Sequence, residues 1–214
     1  MSRRAFPILT LMTFTLALCA SARAQDDDAP WEMAKSTDFA IAVPKDWTSL
    51  DKFSPQVLLY RQSEGKGGVP EKDENGQPLQ AQIIIEKIKM KPGLQDSAAV
   101  VVDRIVNEAG TEVVNAAEGE TAKLADGVDA FWLTTEVSRG DKRMLFIKLL
   151  CKTDESHGYV VTGIISAGKA SSIPSIKGAQ GKWLLEMVKS FVIDPNKFDG
   201  SKVAAAYKQR DKSS

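Results

Sequence analysis

AFWLTTEVSRGDKRMLFIKLLCKTDESHGYVVTGIISA, residues 130–167, carries three apolar runs separated by two short polar breaks. Gly140-Asp141 has the composition of a tight hairpin turn, and Glu155-Ser156-His157-Gly158 that of a slightly longer one. The runs at 130–139, 142–153 and 159–167 therefore read as consecutive strands. Connections this short permit only antiparallel neighbours, because a parallel pair needs a crossover of a dozen or more residues. An antiparallel meander is thus the centre of the expected fold. Alternation in the middle strand sets Leu145, Ile147, Leu149 and Cys151 on one side.

Upstream, residues 79–90 predict a long strand with Ile83 and Ile85 on one face and Ile84 and Ile88 on the other. Apolar residues on both faces require cover on both sides. Pro92-Gly93 ends that strand, and Asp96 or Ser97 is placed to cap a helix. Ala98, Val101, Val102, Ile105, Val106 and Ala109 form its apolar stripe, and Gly110 stops it. Further upstream, Phe39, Ile41 and Val43 alternate in a strand ended by Pro44. Trp47 and Leu50 follow in a turn, and residues 57–62 resume a strand. Downstream, residues 181–192 predict a second helix with Trp183, Leu184, Met187, Val188 and Phe191 buried. Strands, helix, strands, helix in that order give an α+β domain in which helices sandwich an antiparallel sheet.

Two segments carry a family resemblance. Phe39-Ala40-Ile41-Ala42-Val43-Pro44-Lys45-Asp46-Trp47 resembles the F-x-I-x-x-P-x-x-W opening of the PsbP-like family, and Glu186-Met187-Val188-Lys189-Ser190-Phe191 resembles its closing helix. That family includes the extrinsic photosystem II subunit and many small exported bacterial proteins. The resemblance spans residues 36–194. It implies an α/β/α sandwich that serves mostly as an accessory or assembly module, with no shared catalytic set.

The ends read differently from the middle. Arg3 and Arg4, an apolar run over residues 5–20, and Ala22-Arg23-Ala24 make residues 1–24 a cleavable signal peptide. Thr10, Thr13 and Thr15 interrupt the run, which is shorter than a membrane span requires. Lipidation at Cys19 is disfavoured because Leu18, not a small residue, precedes it. Ser2-Arg3-Arg4-Ala5-Phe6 also resembles the start of a twin-arginine signal, up to Pro7 and Ile8. Residues 25–35 read as a flexible lead-in and residues 195–214 as a polar tail with room for a short helix over Val203 to Arg210. The expected location is periplasmic or secreted, with no stable membrane anchor after cleavage.

The whole chain holds 28 basic and 28 acidic residues, and residues 1–24 contain three arginines and no acid. The mature chain therefore carries 25 basic against 28 acidic groups, which argues against nucleic acid as a partner. Cys151 is its single cysteine, so no internal disulfide forms.

The candidate chemical groups each have a plain structural reading. His157, the sole histidine, stands beside Asp154, Glu155 and Ser156, but neighbours in one turn seldom align as a proton relay, so an exposed turn histidine is expected. One histidine also argues against a zinc site. Cys151 reads as core filler. Gly65-Lys66-Gly67-Gly68 and Gly178-Ala179-Gln180-Gly181-Lys182 lack the spacing and terminal hydroxyl of a nucleotide-cradling loop. Glu71, Asp73, Asn75 and Gly76 echo a calcium loop whose bidentate glutamate position holds Gln82, so the loop over residues 63–78 reads as a solvated hinge. Trp47, Trp132 and Trp183 read as packing anchors, while Trp31 either folds back onto the domain or is presented to something else.

No catalytic residue, cofactor or metal site is assigned. The expected function is a noncatalytic binding or assembly module of the cell envelope with a protein partner. The alternatives are a carrier of a small apolar ligand enclosed between sheet and helix, and a hydrolase with an unrecognised site.

Overall fold

The computed structural model describes residues 31–45, 47–49, 57–62, 80–108, 110–168 and 179–205. Residues 1–24, read above as a signal peptide, the stretch 63–78 and residues 25–30 and 206–214 lie outside the described residues.

Among the described residues, nine strands form two sheets. β1 (Trp31–Lys35) and β2 (Ala40–Pro44) make an antiparallel pair, and the remaining seven make one antiparallel sheet in the order β3-β4-β5-β9-β8-β7-β6. These are β3 (Trp47–Ser49), β4 (Val57–Gln62), β5 (Gln80–Lys89), β6 (Thr111–Lys123), β7 (Asp129–Arg139), β8 (Lys142–Lys152) and β9 (His157–Gly168). The meander expected over residues 130–167 is β7-β8-β9. Arg139 pairs with Lys142 across the first turn, where Gly140 has φ 57°, and Lys152 pairs with Gly158 across the second.

Helix α1 (Leu94–Val106) covers one face of the large sheet, and α2 (Ala179–Lys189) with the β1/β2 pair covers the other. The split follows the alternation along β5. Ile83 and Ile85 join the α2-side core with Leu145, Ile147, Leu149 and Cys151, whereas Ile84 and Ile88 pack on the α1 side. The result is the expected sandwich of helices around an antiparallel sheet.

The α2 layer is the larger. Phe39 stacks on Phe191 at 5.4 Å between ring centroids, Tyr159 meets the same ring at 5.4 Å, and Trp47 stands edge-on to Trp183 at 6.2 Å. Helix and sheet come into close contact at Gly163, where a methyl group would come within 2.9 Å of Val188. The end of α2 is stitched to β2. The Ala40 amide donates to the Val192 carbonyl at 3.0 Å, the Ala42 amide donates to Ser190 Oγ at 2.9 Å, and that hydroxyl donates to the Met187 carbonyl at 2.6 Å.

Five local expectations change. Residues 31–35, read as part of the flexible lead-in, are strand β1, with Trp31 buried against Phe198 and directly over Gly200. Residues 195–205, read as tail, form a 3-10 turn at Pro195–Lys197 and a helical segment at 201–205 in which Val203 is fully buried. Apolar contact with the domain outweighs the polar composition of both segments. Trp47 lies in β3, not in a turn. Neither Asp96 nor Ser97 caps α1. Its N-cap is Gly93, and Ser97 Oγ instead accepts from the Lys91 amide at 3.0 Å and donates to the Gly93 carbonyl at 3.1 Å. At the other end the C-cap is Asn107, so Gly110 belongs to the turn entering β6.

Candidate functional site

The β8–β9 turn gathers the residues that a hydrolytic relay would use, in the wrong arrangement. Asp154 Oδ1 accepts from the amides of Ser156 and His157 at 2.7 and 2.8 Å and from Ser156 Oγ at 3.1 Å. His157 Nδ1 lies 2.9 Å from Ser156 Oγ and 3.2 Å from Asp154 Oδ1. A nucleophile relay needs the hydroxyl on one ring nitrogen and the orienting carboxylate on the other. Here both partners occupy Nδ1, and the set is the internal bonding of an aspartate turn. The amide of Ser156, followed by that of His157, holds the exposed Asp154 carboxyl down to about 2.

Cys151 is fully buried among Leu149, Tyr159 and Ala130. Burial pushes its thiol up to about 12, so the thiolate needed for nucleophilic attack is suppressed. Trp132 is half-buried beside α2, its indole N–H donating to Glu120 Oε1 at 2.7 Å and its ring lying 4.2 Å from Lys189 Nζ. Gln82 is a β5 residue paired with Ile164, which places it in the sheet and not in a cation-binding loop. The glycine-rich stretch 65–68 and the acidic stretch 71–76 lie outside the described residues, and Ala179 opens α2.

The residue that sequence reasoning passed over is Lys148. It sits mid-strand in β8, on the α1 face between Phe146 and Leu150, with only 7% of its surface exposed. Its ammonium donates to Thr162 Oγ1 at 2.8 Å and lies 5.8 Å from the Phe146 ring centroid. A signal was present in Leu145-Phe146-Ile147-Lys148-Leu149-Leu150, a single charge inside a run apolar on both faces. Burial pushes its pKa down from 10.5 to about 8, opposed by the attraction of Glu86 and reinforced by the repulsion of Arg104.

This shift makes stability depend on pH. Below about pH 8 the ammonium is charged in the folded and unfolded chains alike, and the folded state carries the full desolvation cost. Between about 8 and 10.5 the unfolded chain holds a proton that the folded chain has released, so stability rises with pH, by up to about 3 kcal/mol. Cys151 has the opposite sign, because its unfolded thiol ionises near 9 while the folded one stays neutral to about 12. Burial raises Tyr159 in the same sense as the thiol. The expected profile is a rise from pH 8 that is cut off above pH 9. Urea midpoints measured from pH 7 to 10 check it. Lys148→Met should abolish the rise and stabilise the fold at pH 7 by about 1–3 kcal/mol.

No protein-family model matches the sequence, and no curated protein is significantly similar to it. Among solved structures the chain is similar to the Ran-binding protein Mog1p of Saccharomyces cerevisiae, with a TM-score of 0.51 and 13% identity over 79% of this chain and 98% of that one. A point mutant of Mog1 gives a TM-score of 0.50 at 13% identity, over 77% and 96% of the two chains. LpqN of Mycobacterium tuberculosis, described as involved in cell envelope biogenesis, gives 0.42 at 15% identity over 77% and 91%. The likeness to Mog1p is one of fold, a mixed α+β architecture with an antiparallel sheet and a few helices, consistent with the expected PsbP-like sandwich. No helix among the described residues is long and apolar enough to cross a membrane.

Proposed function

We propose that this chain is an exported, noncatalytic binding or assembly module of the cell envelope, acting through a protein partner. The observation that carries the reading is the engagement of the reactive side chains in structure: Ser156 and Asp154 both bond to one nitrogen of His157, and Cys151 is sealed in the core. The leader-like residues 1–24 support export, and the binding of a protein by Mog1p is a precedent for this architecture as a docking module. Against the alternative of a small apolar ligand held between sheet and helix stands the contact at Gly163, where Leu184 and Val188 leave no space for a methyl group.

Capture of partners from envelope extract by the tagged mature chain tests this. The expected result is a saturable protein partner retained by the His157→Ala variant. A turnover activity lost in that same variant would overturn the noncatalytic reading. Fractionation of cells expressing the full chain, with the mature N-terminus at Gln25, tests export.

A further inference from the structure

The seven-stranded sheet ends in two unlike edges. β3 is three residues long, whereas β6 runs thirteen residues from Thr111 to Lys123 and has no neighbour on its outer side among the described residues. An open edge offers a row of backbone donors and acceptors to any chain that can lie beside it. Register shifts between Val113 and Asn115 and between Asn115 and Glu118 break the first half of that row. The second half is regular: Glu118 to Lys123 pairs with β7 residue by residue, from Glu118 with Thr134 to Lys123 with Asp129.

Apolar surface and charge on this edge say what fits it. Among the described residues, the large apolar side chains that stand exposed are Val113 and Val114, at 48% and 43%, and both belong to β6. At Gly119 the half-buried Phe131 ring lies 2.8 Å from where a β-carbon would be, so the tip of an aromatic ring occupies the place of a β6 side chain. Phe131 packs on the α1 side of the sheet, whereas Glu120 accepts from the indole of Trp132 on the α2 side. An added strand therefore meets an apolar contact on one face and a carboxylate on the other. The strand carries Glu112, Glu118 and Glu120 against one base, Lys123, whose ammonium already pairs with Asp129 at 2.6 Å. A second copy of this chain would bring two acidic rows together, and like charges across strands destabilise the pair. A basic chain is attracted instead. We infer that β6 docks an extended segment of a protein partner as a further strand of the sheet, one in which apolar residues alternate with lysine or arginine. Backbone hydrogen bonds supply affinity in such an arrangement, and alternate side chains supply specificity. The inference rests on the protein-partner reading and adds where the partner docks and with what chemistry.

The probe is the synthetic peptide acetyl-KVKVKVK-amide, titrated into the mature chain at pH 7 and followed by backbone amide NMR and hydrogen exchange. The expected result is saturable binding, with shifted and newly protected amides confined to residues 111–123 and the adjoining β7. The same peptide with glutamate in place of lysine should not bind. Val113→Lys combined with Val114→Lys changes two exposed side chains, removes the apolar contact and adds like charge, so it should weaken the lysine peptide by about tenfold. No binding, equal binding of the glutamate peptide, or amide shifts centred away from β6 would each overturn the docking edge. Capture from envelope extract separates this result from the reading beneath it. A partner retained equally by the wild type and the double-lysine variant overturns docking at β6 while the partner stands, and a chain that captures no protein overturns the partner reading itself.

Discussion

Gly158→Ala should destabilise this domain by about 3 kcal/mol or more. A methyl group there would stand 2.2 Å from the Cys151 carbonyl oxygen and 2.5 Å from Met90 Sδ. The sulfur can swing aside. The carbonyl cannot, because it belongs to β8 within the ladder that pairs Lys152 with Gly158. Relief therefore requires the two central strands to separate where the Met90 amide also donates to the Ser156 carbonyl at 2.8 Å. Gly140→Ala is the control. Gly140 has φ 57° and open space around it, so alanine there meets only the strain of the left-handed region, about 1 kcal/mol. Urea midpoints of the two variants at equal m check the contrast. A smaller loss at residue 158 than at residue 140 would contradict the close approach of β8 and β9.

The same strands mark how far the sequence could be read. Turn chemistry at Gly140-Asp141 and apolar alternation on both sides made β7, β8 and β9 legible, and the two-faced isoleucines of β5 announced helices on both sides of the sheet. Strand β6 was not legible, for a physical reason. It is an edge strand whose valines, Val113 and Val114, are exposed, it carries several glutamates, and its pairing with β7 is broken by register shifts. An edge strand protected by charge and irregular pairing has little periodic signal to offer. Strand β1 was missed because a five-residue segment with two charges acquires its structure from tertiary contact alone. Of the candidate site residues, Cys151 was legible because alternation fixes its side of the sheet. Lys148 lies on the opposite face by the same alternation but was passed over, because its burial depends on how α1 packs over that face, which no spacing along β8 reveals.

Trp31→Ala should remove about 3–4 kcal/mol, an effect that a flexible lead-in would not produce. The indole rests on Gly200, with its Cη2 atom 2.0 Å from where a β-carbon would lie, and its ring stands 6.0 Å from that of Phe198. Deleting it leaves a cavity between β1 and the segment that carries Phe198 and Gly200. Its buried N–H finds no acceptor among the described residues, and an orphan donor of this kind costs about 1–3 kcal/mol. Trp31→Phe discards that donor while keeping most of the ring, so its loss should stay near 1 kcal/mol. Trp31→Ala combined with Phe198→Ala should cost less than the sum of the two singles, because they empty the same space. Thermal melts of the three variants, with the double mutant, check the set. Additive losses would mean that residue 31 and residue 198 stabilise the domain separately.

The seat of Trp31 on Gly200 also orders events during synthesis. The tryptophan leaves the ribosome near the start of the described chain, whereas the glycine that receives it is made near the end. Until then the indole lacks the glycine against which it rests in the folded domain. A chain with this wiring remains threadable for most of its translation and locks only when its last segments arrive.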